Sequence, residues 1–259
     1  MNSRITQVVL LALLVSWSIN PLFAAQCKST VYLTFDTGSQ SQAGLIADTL
    51  KKHEVKATFF LANEKTVKGD SSLEQGWASF WKQLLAQGHV FGSHTFDHVY
   101  LRGDGSNGTI RVRPQFGANA GKEFEWTAEQ FCSELKRVDA QFKTLTGQGV
   151  GPIWRAPGGK VSARSLRAAA ECGYKHVGWS PAGFSGDELS SETYPNKKLL
   201  QKALHDLRDG DIFVAHLGIW SRKDPWAPAV LDPLIAGLKE RGFCFATLKD
   251  HPQYKALWK

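Results

Sequence analysis

Val31-Tyr32-Leu33-Thr34-Phe35-Asp36-Thr37-Gly38 is the stretch that decides the architecture. Residues 31–35 form a β-branched, aromatic and aliphatic run bounded by a turn signal, the pattern of a strand covered on both faces. The run ends on a carboxylate. The same grammar recurs down the chain. Residues 90–93 precede Ser93-His94-Thr95-Phe96-Asp97-His98, residues 151–154 precede Arg155-Ala156-Pro157-Gly158-Gly159, and residues 212–215 precede His216. Further candidate strands lie at 57–61, 176–179 and 244–248.

Amphipathic stretches at 43–53, 73–87, 128–145, 163–172, 197–207 and 228–241 fall between these runs. Strand and helix patterns that alternate along a whole chain predict parallel strands with helical crossovers. Seven strands with interleaved helices predict a barrel one unit short of eight. Gly88, Gly173 and Gly242 each stand between a helical run and a strand, where a left-handed residue closes a helix. The segment 101–124 breaks the rhythm, being rich in Gly, Asn and Arg without a period. It is expected as a long loop that either walls a groove or is a surface insertion.

Residues 1–25 combine a cationic start at Arg4, an apolar stretch at 8–17 and the small pair Ala24-Ala25, the build of a cleaved secretory signal peptide. The expected domain organisation is therefore this signal at 1–25 and one catalytic domain at 26–259, with no linker. No later segment is apolar enough to span a bilayer, so no stable membrane span is expected after cleavage. The exported protein would reside in the periplasm or be secreted.

Losing Arg4 lowers the formal charge from +7 to +6, a mildly basic balance that favours anionic polymers. Nucleic acid is not an expected partner, because export and the absence of a basic-aromatic stripe both argue against it. Export makes disulfides permissible for Cys27, Cys132, Cys172 and Cys244, with three pairings open. Closing a barrel would bring Cys27, before the first strand, to Cys244 in the last, which makes that pair the expected one; buried free thiols are the alternative. The nine tryptophans mix core filling with surfaces able to stack on sugar rings.

Residues at the carboxyl ends of parallel barrel strands converge on one face. Asp36, His94, Arg155, Trp179 and His216 all fall at such ends. A single strand-end histidine is more often structural, but joint placement favours a site. His94 and His98 are four apart, so a helical turn after the strand would aim both imidazoles at one divalent ion. Asp36 could then deprotonate water, Arg155 orient that carboxylate through a bidentate contact, and His216 protonate a departing amine. Base, metal and acid together describe amide or ester hydrolysis.

The chain resembles the polysaccharide deacetylases that share the NodB homology domain, carbohydrate esterase family 4. The stretches that carry the resemblance run in order from Val31 to Asp250: TFDTG, SHTFDH, RAPGG, a tryptophan segment at 176–180, and VAHL. The resemblance implies a distorted (β/α)7 barrel, TIM-barrel-like, and metal-dependent removal of N-acetyl, sometimes O-acetyl, groups from glycans. It implies that Asp36 is the base, His94 and His98 metal ligands with zinc the first expectation, Arg155 the residue orienting the base, and His216 the acid. Pro157, Trp179, Trp220 and Asp187 are expected at the substrate, with Trp226 a further stacking candidate or a core residue.

Two departures matter. Thr37 stands where the family usually carries a second aspartate, its third metal ligand, and a neutral hydroxyl is a much poorer ligand. Some relatives acting on muramic residues also lack that aspartate, which points towards a cell-wall substrate. Asp187 is displaced from the place after the tryptophan where the family keeps an acid that tunes the histidine. The expected function is removal of N-acetyl groups from an exported N-acetylated glycan, peptidoglycan first and surface polysaccharide second. A glycan-binding protein on a deacetylase scaffold and a hydrolase of small cyclic amides stay open beside it.

Overall fold

A computed structural model of the protein describes residues 27–227 and 229–258. The expected signal peptide at 1–25 lies outside the described residues. The chain runs β1 (Ser29–Asp36), α1 (Ala43–Lys52), β2 (Thr58–Leu61), α2 (Ala78–Ala86) and β3 (Val90–Ser93). It continues through β4 (Tyr100–Asp104), β5 (Ile110–Arg113), β6 (Phe124–Trp126), α3 (Ala128–Thr146), β7 (Ile153–Trp154) and α4 (Ala163–Glu171). It ends with β8 (Lys175–His176), α5 (Asn196–Asp206), β9 (Ile212–His216), α6 (Leu231–Glu240) and β10 (Phe243–Phe245). Among the described residues no helix is long and apolar enough to cross a membrane.

Seven parallel strands curl into the distorted (β/α)7 barrel. The order is β10-β1-β2-β3-β7-β8, with β9 also paired to β1. Alternation along the strands sorts side chains to two faces. Val31, Leu33, Phe35, Phe59, Leu61, Phe213 and Ala215 face the helices in the largest apolar cluster. Their neighbours Tyr32, Phe60 and Ile212 belong to a separate cluster that fills the base of the barrel. By the same period of two, Thr34 and Asp36 share the inner face with Tyr32, and Val214 and His216 with Ile212. Apolar residues plug the barrel below and leave polar ones at its mouth.

The distortion lies between β8 and β9, which form no ladder. Instead the Ser180 N–H donates to Ile212 O at 3.0 Å, the Ile212 N–H to Ser180 Oγ at 3.0 Å, and the Ser185 N–H to Val214 O at 3.2 Å. The strand expected at 176–179 is cut to Lys175–His176. Two causes are visible: Pro181 lacks the N–H a ladder needs, and Arg155 occupies the Val177 and Gly178 carbonyls.

The segment expected as a loop at 101–124 contains β4 and β5 and reaches β6, an antiparallel three-stranded sheet. Its alternation is short: Leu101, Ile110 and Val112 pack with Phe131, Leu135 and Trp154 while Arg102 and Arg111 face solvent. Thr127 opens α3 with a capping box shared with Gln130, and Gly147 closes it at φ 85°. Cys27 bonds Cys244, the expected pair, with Cα atoms 5.5 Å apart, beside the β1–β10 ladder. Cys132 bonds Cys172, tying α3 to the end of α4.

Candidate active site

Parallel register assembles the site. Asp36 is the register partner of His216 on β9 and of Phe60 on β2, while Ser93, just before His94, pairs with Trp154, just before Arg155. Four chemically active side chains therefore meet at the barrel mouth because each is the last or next residue of its strand. Gly38 must be glycine, because a Cβ there would collide with the Gly218 carbonyl as the loops after β1 and β9 cross.

Arg155 is fully buried. Its Nη1 donates to Asp36 Oδ1 at 2.9 Å and to Thr34 Oγ1 at 2.7 Å, while Nε and Nη2 donate to the carbonyls of Val177 at 3.3 Å and Gly178 at 3.1 Å. The contact with Asp36 is thus a single bond; the bidentate grip expected from sequence is absent because the other arms are spent on backbone. The guanidinium also lies 4.3 Å from the Phe60 ring centroid. Burial alone would raise the Asp36 carboxyl, but Arg155, with His94 and His216, outweighs it and holds the carboxyl below its ordinary range.

His94 is oriented by the carbonyl of Arg155, which accepts from Nδ1 at 3.0 Å, so Nδ1 carries the proton and Nε2 is left as an acceptor. Nε2 stands 3.7 Å from Asp36 Oδ2. Burial pushes the His94 imidazolium down to about 3, with the nearby charges of His98, Arg155 and His216 acting in the same sense and Asp36 opposing. The ring is neutral at physiological pH. No helix follows the strand: Thr95 at φ 61° and His98 at φ 48° make a left-handed turn, pinned by the Val99 N–H donating to Thr95 Oγ1 at 2.7 Å. The two imidazole centroids still approach to 5.0 Å.

On the far side, Asp187 is buried and accepts from His216 twice: Oδ2 takes the backbone N–H at 2.7 Å, and Oδ1 and Oδ2 face Nδ1 at 3.0 and 3.2 Å. Ser185 Oγ donates to Asp187 Oδ1 at 2.8 Å. Burial pulls the His216 imidazolium down, yet Asp187, helped by Asp36 and Glu188, overcomes it and pushes the pKa up to about 10.

A cavity of about 540 Å³ opens over these groups. Asp36, His94, His98, Trp179, His216 and Trp220 line it. Trp220 is 60% exposed at the rim, whereas Trp226 is buried and stacked on Phe213 with centroids 6.0 Å apart. Two residues expected at the substrate are elsewhere. Pro157 is buried and leaves the wall to Gly158, and Asp187 is turned to His216 rather than to the cavity. Glu64, Tyr100 and Glu188 stand in the wall with no motif to mark them, while Gln115 and Phe116 bring the 101–124 segment to it, one of the two placements expected of that segment. Glu64 carried a usable signal, standing three residues past the carboxyl end of β2.

His98 Nδ1 is buried without a hydrogen-bond partner, and His94 Nε2 is free, so two imidazole nitrogens suit a divalent ion. Thr37 adds nothing to that set: its hydroxyl donates to Glu64 Oε1 at 2.6 Å and accepts from the Ala62 N–H at 3.0 Å. Among the described residues no group of three or more His, Cys, Asp or Glu stands close enough to hold a metal. The histidine pair fits an ion that takes its remaining ligands from water or substrate.

A family model described as polysaccharide deacetylase matches residues 24–177. The peptidoglycan-N-acetylmuramic acid deacetylase PdaA of Bacillus subtilis is 28% identical over 226 residues, 86% of this chain and 71% of that protein. A chitooligosaccharide deacetylase of Azorhizobium caulinodans is 27% identical over 233 residues, 86% of this chain and 94% of that one. Among solved structures, a family 4 acetyl xylan esterase from Clostridium thermocellum, in complex with a cobalt ion, superposes with TM-score 0.64 at 20% identity. That alignment covers 88% of this chain and 92% of the esterase.

Proposed function

The chain belongs to the polysaccharide deacetylase family, and from that premise we propose that it is exported and removes N-acetyl groups from an N-acetylated polysaccharide, peptidoglycan first, by metal-assisted acid/base hydrolysis. The observation that carries this reading is the opposed pairing at the barrel mouth. Arg155 keeps Asp36 anionic, and Asp187 keeps His216 cationic.

Those protonation states are the ones amide hydrolysis needs. Asp36 takes a proton from water as its oxygen attacks the acetyl carbonyl carbon. The carbon–nitrogen bond then breaks, and His216 delivers its proton to the departing sugar nitrogen, leaving acetate and a free amine. Arg155 holds Asp36 in place through a network that reaches Thr34, Val177 and Gly178. Trp179 and Trp220 offer ring faces to a pyranose. A divalent ion at His94 and His98, zinc first, would supply Lewis-acid polarisation of the carbonyl and a lower pKa for water.

Acetate release from peptidoglycan and chitooligosaccharides by the mature protein tests the reading, after chelation and again with added Zn²⁺ or Co²⁺. Release restored by metal is the expected result. The Thr37 hydroxyl, committed to Glu64, favours a second reading, a glycan-binding protein without turnover. Glycan binding with no acetate from any polymer would establish that alternative.

A further inference from the structure

Helix α3 buries an apolar stripe of Phe131, Leu135, Val138, Phe142 and Leu145, and Glu134 lies within it, only 3% exposed. A carboxylate among core side chains is costly unless hydrogen bonds and a counter-charge offset its lost hydration. The helix does not need it, since Thr127 and Gly147 already cap both ends. Its partners point instead to the turn that carries His98. Glu134 accepts the Asp97 backbone N–H on Oε1 and Arg137 Nη1 on Oε2 at 2.7 Å. Arg137 Nη1 reaches on to Asp97 Oδ2 at 2.7 Å, and its guanidinium lies 4.0 Å from the Phe96 ring centroid.

That turn has to be held from outside. Thr95 and His98 both take positive φ, at 61° and 48°, which is strained for a β-branched residue and uncommon for a histidine. Such backbone persists only where its surroundings over-determine it. The Arg155 carbonyl aims His94, but among the described residues nothing bonds His98 Nδ1, so the aim of the second imidazole falls to its backbone. One side of the turn is held by main chain: Asp97 O accepts the Gln115 and Phe116 N–H groups at 3.0 and 3.1 Å, and Phe96 O accepts the Asn63 N–H at 2.7 Å. The other side is held by α3. Resting on the reading of His94 and His98 as the metal pair, we propose that Glu134 and Arg137 are positioning residues for the ion. They clamp Phe96 and Asp97 and keep the His98 imidazole in place before an ion arrives, which raises affinity by lowering the cost of ordering the site. Neither lines the cavity, so they reach the reaction only through the ion.

Calorimetric titration of Zn²⁺ into the metal-stripped mature protein reads this effect without turnover. Glu134→Leu suits the apolar stripe but leaves the Asp97 N–H without its acceptor, and it should weaken Zn²⁺ binding by about tenfold or more. Glu134→Gln restores an acceptor and should recover most of that loss. Arg137→Met, at a position 45% exposed, alters no packed core residue and should weaken binding in the same direction by a smaller factor. Val138→Ala is the control for stability: it lies in the core on the same helix, and it should lower the melting temperature while leaving Zn²⁺ affinity unchanged. Parental affinity in folded Glu134→Leu overturns the proposal, and so does an equal loss in Val138→Ala, since the carboxylate would then serve stability alone. If Glu134→Leu does not fold, Arg137→Met decides: weakened binding supports the clamp and parental binding overturns it. His98→Ala guards the premise. Should it bind Zn²⁺ as tightly as the parent, the ion is not held by His98, and the reading of the metal pair fails together with the proposal.

Discussion

Two ion pairs face each other across the barrel mouth, alike in composition and opposite in use. In Arg155–Asp36 the cation is the support and the anion lines the cavity; in Asp187–His216 the anion is the support and the cation lines the cavity. In both, the supporting member is the more deeply buried side chain, 0% against 3% exposed in the first pair and 2% against 18% in the second. Which member is turned to the cavity decides whether a pair presents an anion or a cation there. The same Coulomb attraction lowers a carboxyl in one case and raises an imidazolium in the other.

Removing the working anion should have the largest effect. Asp36→Asn preserves shape and is expected to lower kcat for acetate release by about 10²–10⁴. It also strips the charge partner from a fully buried guanidinium, a loss worth up to about 3–5 kcal/mol. Arg155 keeps Thr34 Oγ1 and two carbonyls as acceptors, so the variant should fold with a lowered melting temperature, checked by circular dichroism. A kcat within tenfold of the parent would remove Asp36 from the role of base.

Removing the supporting anion should act through pH. The His216 pKa is raised from 6.5 to about 10, so the stability it contributes is fully present below about pH 6.5 and is lost as pH rises through about 10. The acid form needed for catalysis follows the same window, placing the alkaline limb of kcat/KM near pH 10. Asp187→Asn should move that limb towards 6.5 and cut activity at pH 8 by about 30-fold, the fall in protonated fraction for an ordinary histidine. A limb that stays in place would show that Asp187 does not set the acid.

The working halves of these pairs were legible in the sequence, and the supporting halves only in part. Asp36, His94, Arg155 and His216 announce themselves because each ends or follows an apolar run, and a parallel barrel brings all such ends together. Asp187 did not. It sits in a segment without periodicity, and its link to His216 depends on the 180–185 stretch closing the barrel through isolated hydrogen bonds. The β4–β6 sheet was hidden similarly, since its strands are short, its Gly and Asn are turn residues, and its apolar positions number one or two per strand. The Cys27–Cys244 bond, by contrast, followed from barrel closure alone.

The smallest effects come from hydroxyls that hold the two supports, and they should separate cleanly. Thr34 Oγ1 accepts from Arg155 and donates to Phe213 O at 2.6 Å, so Thr34→Val leaves a buried N–H and a buried carbonyl short of a partner. Such losses cost about 1–3 kcal/mol each, and a less firmly held Arg155 should lower the activity plateau a few-fold while the alkaline limb stays put. Ser185→Ala removes a donor to Asp187 without touching its contacts with His216, so the plateau should hold and the limb should shift by less than about one pH unit. Each variant reports on its own pair. If Thr34→Val instead displaces the alkaline limb, the two pairs titrate as one network through the mutual influence of Asp36 and His216, and base and acid are no longer separable groups.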